Sequence, residues 1–295
     1  SLKTSGFEAD SVTFYNRTYF QKPLQGKLEE KVVSEKGNNI SYPRFESYSK
    51  RFQIQGIAKG VDYDGGFSQR GAKFLGSGNK DEDAKLIFYK DGKKFLVVGS
   101  KLMGITDEKL FADMANVKFY FDKDSVTHPS LSFKFMTKTR LLSLNRTNAG
   151  ISKSPFKNTF HKIDMYFEEV QWVIDDPKMD FRMMIGNTEE DGLFESADYF
   201  RTDRFDQIQG IDNINPLVQL RNYVKQNKDV KEFSGIDYAK YVKMALYDVQ
   251  PNLVRLAVLG FLNYDAEADK VHVLDKLFDY VNDRSAKRDY DVIQF

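Results

Sequence analysis

The segments Lys85-Leu86-Ile87-Phe88-Tyr89-Lys90 and Lys93-Lys94-Phe95-Leu96-Val97-Val98 are separated by two residues only, Asp91-Gly92. An Asp-Gly connection takes the positive φ angles of a type I′ turn, whose twist matches that of two antiparallel strands, so this stretch reads as a β-hairpin. Short apolar alternations broken by glycine and aspartate run from Phe52 onward. Val117, Phe119 and Phe121 alternate with Lys118 and Tyr120, and Leu131, Phe133 and Phe135 with Ser132 and Lys134, giving each strand one wet and one dry face. Residues 1–210 are therefore expected to form a mainly β domain: an antiparallel sandwich, a jelly roll or an irregular solenoid. No internal repeat selects among the three. Within it, residues 1–42 show no sustained period and read as an irregular lead-in.

Other local patterns refine this picture. Residues 106–114 predict one short helix, with Thr106 as N-cap, Asp107 and Glu108 in the first turn, and Leu110, Phe111 and Met114 on one side. Ile163, Met165 and Phe167 keep one parity whereas Val170, Trp172 and Ile174 keep the other. A continuous strand there requires one extruded residue, so a β-bulge is expected at Glu168-Glu169.

After Gly210 the pattern changes to helices. Pro216–Gln226, residues 236–244 and residues 250–259 predict three, with Pro251 near the start of the third and Gly260 ending it. A two-stranded ribbon over residues 261–274 and a last helix over 275–281 follow. That order predicts a small α+β winged-helix-like domain over residues 211–295, joined by a linker at residues 207–215.

Composition narrows the chemistry. The chain has 295 residues, with 44 Lys+Arg against 43 Asp+Glu, so no global field draws it to nucleic acid or an anionic membrane. With 25 Phe and 16 Tyr it has the apolar mass for a sizeable core. The absence of cysteine excludes disulfides, a thiolate nucleophile and every Cys-ligated metal centre. No stretch approaches the run of about 18 apolar residues that a membrane-spanning helix needs. Ser1, in place of an initiator Met, reads either as an added leading residue or as a cut within a longer chain.

No motif fixes a reaction, and the sequence points away from an enzyme: no catalytic residue, metal site or cofactor is expected. Asp62-Tyr63-Asp64-Gly65-Gly66 resembles the opening of a calcium loop but lacks its downstream bidentate Glu, and reads as a turn. Gly71-Ala72-Lys73-Phe74-Leu75-Gly76-Ser77-Gly78 superficially resembles a phosphate loop, yet no Lys-Ser or Lys-Thr follows Gly76; turns or sheet glycines explain it. His161 near Asp164 has no serine elbow and reads as a surface histidine.

Two sets of residues carry ligand hypotheses. Tyr166, Glu168 and Trp172 compose a glycan-binding alternative, an aromatic platform beside a carboxylate. The acids from Asp164 to Asp180 read better as solvated charges protecting sheet edges than as a glycosidase carboxylate pair or a calcium site. Arg255 is the one cation of the third helix, the element a DNA-binding winged helix places in the major groove. Asp248 before it and Asp265, Glu267 and Asp269 at the ribbon tip oppose phosphate contact, so Arg255 points to protein contact or packing rather than DNA.

Tyr42-Pro43-Arg44-Phe45, Gly65-Gly66-Phe67-Ser68 with Gly71-Ala72-Lys73-Phe74 and Gly76, Asn158-Thr159-Phe160-His161-Lys162-Ile163-Asp164-Met165-Tyr166-Phe167, and Phe194-Glu195-Ser196 through Ile208-Gln209-Gly210-Ile211-Asp212 carry a resemblance. Over nearly all its length the chain resembles an interior segment of large exported proteins of Bacteroidota. That family brings no activity, cofactor or catalytic residue. The resemblance implies a periplasmic or cell-envelope fragment of a longer protein, where a winged helix would not meet chromosomal DNA. The lack of a catalytic constellation, the near-neutral charge and the aromatic-rich strands point to a structural or protein-interaction segment with protein partners and no nucleic acid. A DNA-binding regulator is the more distant alternative.

Overall fold

The structure, a computed structural model, describes residues 6–17, 19–20, 22–31, 42–71, 73–79, 82–147, 150–183, 192–197, 200, 202–210, 213–282 and 292–294. It is mainly antiparallel β. The chain divides into two compact units that are not consecutive in sequence. One comprises Ser1–Phe121, Leu131–Asn145 and Val170–Asp180; the other Asp122–Ser130, Arg146–Glu169 and Phe181–Phe295. The expected boundary at residue 210 falls inside the second unit, and Ile211 and Asp212 of the expected linker lie outside the described residues.

The first unit begins with β1 (Gly6–Phe14) and β2 (Leu24–Lys31), paired antiparallel, where the sequence suggested an irregular lead-in. Their polar side chains hide the strand period, and Phe14 reveals its role by stacking on Phe45 at 4.5 Å. β3 (Arg44–Ser47) and β4 (Phe52–Ala58) both pair with β5 (Val61–Arg70). β5 therefore runs straight through the Asp62–Gly66 segment, which by sequence reads as a turn. Gly65 fits there because a Cβ would lie 2.4 Å from the Tyr63 hydroxyl. The buried Tyr63 ring, whose hydroxyl donates to the Gly66 carbonyl at 2.5 Å, occupies the room those glycines leave.

β6 (Lys73–Ser77) and β7 (Ala84–Lys90) lie end to end along β5, and β8 (Lys93–Ser100) and β9 (Leu102–Ile105) lie end to end along them. β10 (Lys109–Phe121) then pairs with both β8 and β9. The expected hairpin is present, with Asp91 at φ 51° and Gly92 at φ 73°.

The helix expected over 106–114 is absent. Thr106 and Lys109 instead close a tight turn, backbone to backbone at 2.9 Å, with the Lys109 N–H donating to Thr106 Oγ1 at 3.1 Å. A side chain suited to cap a helix serves a hairpin equally well, because both structures leave an N–H two or three residues ahead of it. β11 (Asp124–Met136) and β12 (Leu141–Asn145) follow, pairing through Ser132–Met136 of β11.

In the second unit β13 (Phe156–Asn158) pairs with β14 (Ile163–Tyr166). No bulge occurs at Glu168-Glu169. β14 ends at Tyr166, buried Phe167 stacks on Phe156 at 4.2 Å, and β15 (Glu169–Val173) starts afresh; Val170 onward belongs to the first unit. The parity change marks the end of one strand and the start of another. β16 (Asp180–Arg182) follows, and β17 (Leu193–Ser196) pairs with β14 on the side opposite β13.

α1 (Thr202–Gln209) has no counterpart in the sequence pattern. α2 (Pro216–Gln226) has Pro216 in its first turn, as expected. Its N-cap Asn215 is buried: Oδ1 accepts from the Leu217 N–H at 2.9 Å while Nδ2 donates to the Phe205 carbonyl at 2.8 Å, tying α1 to α2. β18 (Glu232–Ser234), α3 (Gly235–Val242), α4 (Leu246–Val258), β19 (Leu262–Asp265), β20 (Lys270–Val273) and α5 (Asp275–Asn282) complete the fold, with β21 (Val292–Gln294) along β17.

α4 starts four residues before the expected 250. Pro251 therefore sits inside it; the N–H it lacks would have bonded the carbonyl of Tyr247, a residue 74% exposed. At its other end Gly260 takes φ 77°, with Gly260 N–H to Ala257 and Phe261 N–H to Leu256, the paired bonds of a Schellman cap. β18, β20 and β19 form a three-stranded sheet. Leu217, Leu220, Val224, Leu253, Phe261 and Leu277 fill the core between these helices and strands.

Candidate functional site

In a sheet, residues opposite one another on adjacent strands point to the same face. Lys157 on β13 is opposite Asp164 on β14, and Asp164 is opposite Glu195 on β17. One row thus carries a cation and two carboxylates, and helices place two further cations on it. Lys276 of α5 donates to Asp164 Oδ2, and Arg204 of α1 grips Glu195 with two bonds, Nη1 to Oε2 at 2.8 Å and Nη2 to Oε1 at 3.1 Å. Asp164 is 1% exposed, Glu195 2% and Lys276 7%. These are interior charges, and the reading of Asp164 as a solvated edge residue is corrected.

Burial is tolerable here because each charge has a partner. Burial favours the neutral form of Lys276, yet Asp164, Tyr166 and Glu195 together outweigh burial and hold the amine above the ordinary lysine value. Burial, with the neighbouring Lys276 ammonium, pushes Lys157 down to about 8 against the opposing pull of Asp164 and Asp275. Its Nζ donates to the Gly260 carbonyl at 2.6 Å. Burial raises the Tyr166 phenol, against the pull of Lys276. The Schellman glycine meets the same row: a Cβ on Gly260 would lie 3.3 Å from Lys157 Cε and 3.5 Å from Pro155.

A second buried polar pair lies nearby in sequence. The Ser130 N–H donates to His128 Nδ1 at 3.1 Å, which leaves the ring proton on Nε2 for the Ser154 carbonyl at 2.8 Å. Ser154 Oγ in turn donates to the Ala257 carbonyl at 3.0 Å, holding the last turn of α4. Burial pushes His128 down to about 3, so it stays neutral.

The residues singled out by sequence belong to different units. Tyr166 belongs to the second unit beside the Asp164–Lys276 pair, and Glu168, whose N–H donates to Arg182, lies two residues on. Trp172 belongs to the first unit, edge-on to Phe95 at 5.5 Å, its Nε1–H given to the Asp176 carbonyl at 3.0 Å. His161 is exposed, as expected. Arg255 donates to the carbonyls of Gln207 at 2.5 Å and Ile208 at 3.4 Å, closing the C-terminal end of α1. The ribbon-tip acids act locally as well: Asp265 accepts from Glu267 and Ala268 within its turn, and Asp269 accepts from the Ile236 N–H at the start of α3.

Sequence reasoning missed Lys157, Glu195, Arg204 and Lys276. Lys276 carried a readable signal, because it stands four residues before Tyr280 and beside Leu277, on the apolar stripe of α5 where a lysine needs a partner. Among the described residues no three His, Asp or Glu side chains converge as metal ligands, and no helix is long and apolar enough to cross a membrane. No family model, curated protein or solved structure matches the chain.

Proposed function

We propose that this chain is a non-catalytic structural and protein-interaction segment of a large cell-envelope protein. One observation carries the reading: the ionisable cluster of the second unit is spent inward, Lys276 and Arg204 neutralising Asp164 and Glu195 beneath two helices. A catalytic or ligand site keeps such groups facing a cleft where a substrate reaches them. Here they fasten helices to strands.

The order α2, β18, α3, α4, β19, β20 supports a winged-helix-like reading of residues 216–273. DNA binding is disfavoured on that reading, since Arg255 of α4 is committed to the α1 carbonyls and Asp265 and Asp269 hold turns and caps where a wing would offer cations. The envelope location rests on the resemblance to exported Bacteroidota proteins. Crosslinking in the source cells, followed by fractionation and mass spectrometry, tests the proposal. Repeated recovery of envelope proteins is the expected result. Recovery with the nucleoid, or salt-dependent DNA binding that weakens on Arg255→Ala, overturns it.

A further inference from the structure

We infer that Lys276 and Asp164 join covalently, the Lys276 amine forming an amide with the Asp164 side-chain carboxyl and one water leaving. The two groups are already in contact, Nζ against Oδ2, with side chains only 5% and 2% exposed. Aromatic and apolar groups close one side of the pair, with the Phe261 ring centroid 5.3 Å from Nζ and Tyr280 and Leu277 fully buried on the same helix, while Glu195 and Lys157 stand opposite Asp164 on the other. Both partners sit on fixed elements, Asp164 between β13 and β17 and Lys276 in the first turn of α5. Holding an amine against a carboxyl in this way replaces the encounter of two solutes with an effective molarity of about 10⁵ M or more.

Condensation needs the neutral amine and the neutral acid. In water that tautomer is negligible, but away from water the cost of two ions narrows the gap between the ion pair and its neutral form. The proton of the Lys276 ammonium crosses the existing contact to Asp164. The nitrogen lone pair then attacks Cγ, a C–N bond forms, and the carbonyl π pair moves onto oxygen. The excess proton on nitrogen passes to the departing hydroxyl through the carboxylate of Glu195, which faces Asp164 across the ladder. The C–O bond breaks and water is released, with no oxidant, reductant or cofactor consumed. Two buried charges disappear in the product, whereas the Glu195–Arg204 pair is left intact.

The intact mass of the purified chain tests this directly. The expected mass is one water below that of the sequence, and proteolysis yields a branched peptide joining the Asp164 and Lys276 segments. Growth of the lighter species on incubation also counts for the inference. Folded parent protein that keeps the full sequence mass after incubation and yields both peptides linear overturns it, so the test does not depend on whether any variant folds. Lys276→Arg and Asp164→Ala are each expected to carry their own full sequence mass; a water deficit persisting in either places the loss elsewhere and overturns the inference equally.

Discussion

Asp164 and Glu195 stand directly opposite each other across the β14–β17 ladder, two carboxylates buried side by side in the same row. Like charges so placed destabilise a sheet unless each is neutralised. Lys276 neutralises one and Arg204 the other, from two different helices.

Arg204→Met is accordingly expected to lower stability by about 3 to 5 kcal/mol, because it strands Glu195 as an unpaired interior charge. Replacing both members, Glu195→Leu with Arg204→Met, recovers most of that loss. Urea unfolding midpoints of the single and double variants provide the check; a single-variant loss below about 1 kcal/mol contradicts the argument.

His128 makes stability depend on acid in a defined window. Its folded value is depressed to about 3 from an ordinary 6.5, so between those values the unfolded chain binds a proton the folded chain does not. Stability from this group is complete above pH 6.5 and declines as pH falls toward 3, by about 2 kcal/mol at pH 5. In His128→Asn the decline between pH 6.5 and 5 becomes shallower than in the parent, measured as thermal midpoint against pH.

Gly76 lies under the Tyr63 ring, where a Cβ would come within 2.6 Å of the hydroxyl and 2.8 Å of Cε2. Gly76→Ala is expected to cost about 1 to 3 kcal/mol through overpacking. Combined with Tyr63→Leu, it costs less than the sum of the two single changes, since the leucine vacates the contested space. Strict additivity in a double-mutant cycle would place the strain elsewhere.

Arg255→Ala removes both guanidinium bonds to the end of α1 and is expected to lower stability by about 1 kcal/mol. Electrophoretic mobility of duplex DNA at low salt should be unaltered by parent and variant alike.

Much of the framework is local and legible in the sequence. The Asp91-Gly92 hairpin, the alternation through Val117–Phe121 and Leu131–Phe135, the Pro216 start of α2 and the Gly260 stop of α4 all rest on short-range chemistry, in which one residue's φ preference or a period of two decides the outcome. Thr106 shows where that chemistry is ambiguous. A hydroxyl that accepts from a nearby N–H begins a helix or closes a hairpin, and only the pairing of Leu110 with Ile105 decides between them. The break at Phe167 reads as a bulge because sequence records a change of parity, not the unit to which the next residues belong.

The sequence by itself determined the antiparallel β character, the helices after Pro216, and the exclusion of thiol chemistry through the absence of cysteine. Only the tertiary structure decided which charges are interior. Asp164 is 31 residues from Glu195 and 112 from Lys276 in number, and no local pattern encodes a contact at that separation. Strand register set the first pairing and helix docking the second, because an interior carboxylate is stable only where another element supplies its counter-charge.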